Sequence, residues 1–107
     1  MVDEPALRVA LCTAPPDRAE AIARALVEQG LAACVNVVPQ VTSIYRWEGE
    51  IEEAEEFLLV VKTTRAAFER VREAILELHS YDVPECISVA IDGGSVGYLS
   101  WIGQSVK

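Results

Sequence analysis

Apolar residues alternate at Leu7, Val9 and Leu11 with Arg8, Ala10 and Cys12 between them, the period-two signature of a strand with one face buried. Pro15 and Pro16 stop that run. Asp17 stands where it can cap a helix, Glu20 follows in capping-box register, and Ile22, Ala25 and Leu26 recur as an apolar stripe. Gly30 suits the left-handed position that ends such a helix. From Ala33 the pattern turns β-rich again through Val35, Val37, Val38, Val41, Ile44 and Tyr45. Proline cannot donate to a ladder, so Pro39 predicts a bulge, bend or edge within this long second strand. Trp47-Glu48-Gly49-Glu50 reads as a hairpin turn, and Phe57 to Val61 as a densely apolar third strand. Thr64 is placed to cap a second helix, in which Phe68, Val71, Ile75 and Leu78 recur at helical spacing until Pro84 breaks the pattern. A fourth strand follows over Ile87 to Ile91, with Gly93 and Gly94 as a turn. Tyr98, Leu99, Trp101 and Ile102 then form a short terminal helix capped near Ser95.

The predicted order is β-α-β-β-α-β with an added C-terminal helix, which is the split βαβ plan of an α+β, ferredoxin-like domain. The third strand carries more than a monomer needs. Phe57, Leu59 and Val61 point one way while Leu58 and Val60 point the other, yet helices on one side of a single sheet leave its other side to water. Something must cover the second face.

A length of 107 residues and a 51% hydrophobic content fit one domain, 1–107, with a single core. No apolar run approaches the length of a membrane span. Met1 to Leu11 contains Asp3 and Glu4 instead of a basic region followed by an apolar stretch, so a soluble, unsecreted protein is expected. Three cysteines without CxxC spacing argue against a disulfide framework and suit reduced thiols in a cytoplasm. A net charge of −8 repels phosphate backbones, which argues against nucleic acid as a partner.

Among residues that could carry chemistry, Cys34 shares one side of strand two with Asn36, and His79 is the chain's one histidine. Thiolate and imidazole donors favour copper or zinc. The spacings of Cys12, Cys34, His79 and Cys86 match no closed zinc motif, and buried cysteines commonly serve as small apolar residues. His79 through Glu85 gathers a histidine, Tyr81, Asp82 and Glu85 before and after Pro84. A helix terminus, with His79 favoured by the dipole, explains part of this, and a pocket wall or subunit contact explains the rest. The acids Glu48, Glu50, Glu52, Glu53, Glu55 and Glu56 lack the calcium-loop pattern and read as a solvated hairpin protected from edge pairing. There is no GxGxxG, Walker loop or GxSxG, and Cys34 and His79 have no third residue identifiable as a catalytic partner. Enzyme activity is not expected.

Five blocks in order, LCTAP from Leu11, LAACVNVVPQVTSIYRWEGE from Leu31, LVVKTT from Leu59, HSYDVPE from His79 and YLSWI from Tyr98, resemble the divalent-cation-tolerance family usually called CutA. The resemblance covers nearly the whole chain. It departs at Arg46, where many relatives carry an aromatic residue, and at Ser80, where proline is common. It implies the same fold assembled as a homotrimer, with sheets packed around a central axis and the long arm reaching neighbouring subunits. The block at Tyr45, Trp47 and Glu48 and the block at His79 to Glu85 would line a cleft at subunit contacts, with Trp47 read as a subunit contact before a ligand contact. Copper binding and divalent-metal tolerance attach to the family, which makes Cys34, His79 and Glu85 the candidate donors for Cu²⁺ or another divalent ion. The resulting expectation is a cytoplasmic, non-enzymatic trimer that binds metal. A PII-like small-molecule sensor and a trimeric scaffold for another protein are the alternatives.

Overall fold

A computed structural model describes residues 6–107, so the leader reading at the N-terminus falls largely outside the described residues. The elements run β1 (Leu7–Ala14), α1 (Pro16–Glu28), β2 (Cys34–Trp47), β3 (Glu50–Thr64), α2 (Phe68–Leu78), β4 (Ile87–Ala90) and α3 (Val96–Ser105). The four strands form one antiparallel sheet in the order β2-β3-β1-β4, as the split βαβ plan requires.

Turn chemistry follows the sequence closely. Glu48 at φ 50° and Gly49 at φ 82° are the paired positive angles of a type I′ hairpin, and Trp47 pairs with Glu50 across it. The β2–β3 register slips between Val38 and Val41, where Pro39 removes a donor and Gln40 adopts φ 62°. At the end of α1, Gly30 has φ +73°. Its N–H bonds Val27 O and the Leu31 N–H bonds Leu26 O, a Schellman pair with both leucines in the core. Gly30→Ala would force a Cβ to within 2.7 Å of the Lys107 side chain in a backbone region that costs an L-residue about 1–2 kcal/mol. A urea midpoint lowered accordingly at unchanged m-value is expected, and an unaltered midpoint would contradict this account.

Helix starts differ from expectation. Pro15 is the N-cap of α1 and has no side-chain acceptor to cap it; Pro16 suits the first helical position, where its missing N–H costs nothing, and Asp17 lies in that turn and favours it through the dipole. Thr64 caps a preceding turn: its Oγ1 accepts from the Ala67 N–H, and Ala67 is the N-cap of α2. Ser95 is the N-cap of α3 without a side-chain bond.

Helices α1 and α2 pack on one face of the sheet, whereas Tyr98 of α3 reaches Cys34 on the other. Ile22 and Leu26 from α1 and Val71 and Ile75 from α2 meet Leu59 and Val61, with Ala10, Cys12 and Ala14 from β1 completing the core. The buried face of β1 is therefore the face of small residues, and Leu7, Val9 and Leu11 are only partly covered on the other. Two helices lying close on the sheet leave room there for Ala and Cys. Directly paired residues share a face, so the second face reads in rows. Val38, Leu58 and Thr13 form one row; Asn36, Val60, Leu11 and Ile87 the next; Cys34, Lys62, Val9 and Val89 a third. Ile87 and Val89 are about half exposed. Pairing of β1 stops at Ala14 opposite Phe57, so residues 41–56 continue as a two-stranded arm in a molecule 49 Å long and 25 Å wide.

Candidate functional site

At the base of the arm lies an open cavity of about 690 Å³. Three parts of the chain build it: Thr13 at the end of β1, the arm through Ser43, Ile44, Tyr45, Trp47 and Glu56, and the loop from Ser80 to Glu85. That loop exists because α2 ends at Leu78 and Pro84 prevents the helix from continuing before β4.

His79 anchors the loop. It is buried, its Nδ1 accepts from the Tyr81 N–H at 3.1 Å, and Nε2 lies 2.7 Å from Thr13 O. A ring nitrogen that accepts an N–H bond carries no proton, so the other nitrogen bears it and donates to Thr13 O. Neither nitrogen keeps a free lone pair. Tyr81 stacks at a tilt on the His79 ring, 4.5 Å between centroids, and donates its hydroxyl to Glu56 Oε2 at 3.0 Å. Burial, then the hydrogen bond and charge of Glu56, push the Tyr81 phenol up to about 12, so it remains a donor near neutral pH. Thr13 Oγ1 donates to Glu85 Oε1 at 3.4 Å. Thr13 is thus the residue on which His79 and Glu85 converge.

Cys34 is not part of this grouping. It pairs with Lys62, four residues along β3 from Leu58, the partner of Thr13, which is about 13 Å at strand spacing. Its thiol is 4.0 Å from Asn36 Oδ1, an oxygen that also accepts from Lys62 Nζ. Among the described residues, no three His, Cys, Asp or Glu side chains gather into a group able to hold a metal ion. Burial pushes the Cys12 thiol up to about 12, with Cys86, Glu85 and Glu56 adding to the effect, and burial also raises Cys86. Neither offers a thiolate readily. Sequence reasoning did not single out Thr13, or Glu56 apart from its acidic neighbours. Glu56 stood out in no way within the glutamate run.

Residues 8–105 match the family of the CutA1 divalent ion tolerance protein. The chain belongs to that family. It is 50% identical over 98 residues to the divalent-cation tolerance protein CutA of Thermus thermophilus, covering 91% of this chain and 95% of the relative. It is 43% identical over 96 residues to human protein CutA, covering 89% of this chain and 54% of that protein. Among solved structures, the Thermus thermophilus divalent cation tolerance protein superposes with a TM-score of 0.92 at 48% identity over 94% of this chain and 99% of that one. A Nostoc protein described as PII-like CutA superposes at 0.88 with 36% identity, over 94% and 97%. The CutA blocks anticipated from the sequence map onto β1, the β2–β3 hairpin, the His79 loop and α3. Among the described residues no helix is long and apolar enough to cross a membrane.

Proposed function

We propose that this CutA protein is a cytoplasmic, non-catalytic homotrimer that acts in divalent-cation tolerance by binding copper or a related ion. The observation that carries the assembly is the second sheet face, where Leu11, Leu58, Val60, Ile87 and Val89 form an apolar surface that α1 and α2, packed on the opposite face, do not cover. The arm adds to it. A two-stranded ribbon exposing Ile44, Trp47 and Ile51 is marginal by itself and gains from contact with neighbours. Light scattering at micromolar concentration should return three times the chain mass, and a stable monomer would overturn the proposal.

Cys34, His79 and Glu85 are the donors we propose for the ion. They do not close a coordination sphere within one chain, so donors must combine across subunits. Cys34 lies on the face that assembly would cover, and Glu85 on the cleft rim. His79 can contribute only by giving up the Tyr81 or the Thr13 hydrogen bond. Copper titration of the intact protein and of Cys34→Ser, Glu85→Gln and His79→Asn, each first checked for its assembly state, discriminates among them. Loss of a ligand is expected to weaken binding at least about tenfold, as disturbance of a metal's supporting shell already does. The smallest change is expected at His79. Unchanged stoichiometry and affinity in all three variants would remove them as ligands.

The cavity favours a second reading, a small-molecule sensor. Its volume falls in the range of roughly 300–1,000 Å³ typical of small-molecule sites, and its walls combine aromatic surface with a few polar groups.

A further inference from the structure

The geometry points to an organic ammonium compound, a protonated amine or quaternary ammonium on an apolar or aromatic body, as the ligand of the cavity at the base of the arm. This inference rests on the small-molecule reading, and Glu85 is common to it and to the proposed copper donors.

Charge decides the class. Three carboxylates line the cavity, from Glu56, Asp82 and Glu85, and no lysine, arginine or histidine does. An anionic ligand would meet no opposite charge there and be repelled by all three carboxylates. Glu56 matters most, since it is 4% exposed and its carboxylate is held in place. Tyr81 satisfies one of its oxygens, Oε2. No side-chain oxygen among the described residues is both buried and unpartnered, so Oε1, which has no protein donor, must reach open space. The open space that Glu56 lines is the cavity. A fixed acceptor of this kind, beside the ring of Tyr81 with Tyr45 near it and Trp47 further along the arm, suits a desolvated ammonium group, which is attracted both by carboxylate oxygen and by aromatic faces.

The walls exclude a bare metal ion as the occupant that best fits. The acids do not converge into a coordinating group, and Ile44 and Val83 contribute apolar surface that a hydrated ion cannot use. An ammonium carried on an apolar body uses both parts of the lining.

The test uses the intact protein in its native assembly and isosteric probe pairs, tryptamine against indole-3-propionate and phenethylamine against 3-phenylpropionate, by isothermal titration calorimetry. The amines are expected to bind at one per chain, more weakly as salt is raised, and the acids not to bind over the same range. Glu56→Gln keeps the shape and the Tyr81 acceptor and should weaken amine binding at least about tenfold, the scale of a hydrogen bond to a charged group. Asp82→Asn, on the exposed loop where folding is not at stake, should weaken it severalfold. Acids binding as well as amines, or amine affinity unchanged in both variants, would overturn the charge assignment while leaving a small-molecule site. Failure of every probe, as would follow if a neighbouring subunit's basic side chain filled the cavity, would overturn both this inference and the small-molecule reading.

Discussion

Val60→Asp is expected to abolish the proposed trimer. Val60 sits on β3, which is flanked by β1 and β2, in the row between Asn36 and Leu11 at the middle of the second sheet face. If three such faces pack together, the substitution places three carboxylates in an apolar contact with no partner, and each unpaired buried charge costs several kcal/mol. In the proposed assembly the same face would supply the main favourable term, at about 25 cal/mol per Å² of apolar surface removed from water. Light scattering should therefore show monomer or aggregate in place of trimer. The wild-type melting temperature should rise with protein concentration because dissociation accompanies unfolding, and a soluble variant should lose that dependence. A trimer of unchanged melting behaviour carrying Val60→Asp would show that another surface makes the assembly.

Leu59→Ala, one residue away on the opposite face, should act differently. Leu59 is fully buried and packs in the core that Ile22, Leu26, Val71 and Ile75 complete from the helices. Removing its side-chain carbons forfeits transfer free energy and leaves a cavity that the neighbouring strands cannot close, a loss of about 3 kcal/mol within the usual 2–5 for such sites. Against a typical total of about 5–15 kcal/mol this is a large fraction. Urea denaturation at fixed protein concentration measures it, and the assembly state of the folded variant should be unaltered. A loss under about 1 kcal/mol would mean that the site collapses freely or that Leu59 is not central to the core.

The neighbouring pair makes visible which features were legible in the sequence. The unbroken apolar run from Phe57 to Val61 says that both faces of β3 are apolar, and the burial of Leu59 and Val61 against the partial exposure of Leu58 and Val60 agrees with it. The same logic misassigned β1. Leu7, Val9 and Leu11 are its larger apolar residues, yet Ala10, Cys12 and Ala14 lie under the helices. Hydropathy ranks side chains by size as well as by polarity, and close helix–sheet packing selects the small ones. Helix caps were misread for a related reason. Asp17 and Thr64 have capping chemistry, but Pro15 as N-cap with Pro16 as first helical residue of α1, and the turn before α2, moved the helix starts by a residue or more.

What the sequence by itself determined is local: the hairpin at Glu48 and Gly49, the bulge at Pro39, the helix stop at Gly30 and the order of elements all depend on backbone angles and on donors supplied by neighbours along the chain. The site was decided only by tertiary structure. His79 meets Thr13 and Tyr81 meets Glu56 because α2 is laid across the sheet and its trailing loop returns to the end of β1 and the base of the arm. No spacing encodes those meetings. The same packing satisfied both ring nitrogens of a histidine expected to bind metal, placed Cys34 on β2 opposite Lys62, four residues along β3 from the partner of Thr13, and separated Glu56 from the otherwise solvated glutamates by burying it beside a phenol. Hydrogen bonds between groups distant in the chain are set by how the layers stack, and that stacking is settled by the whole core at once.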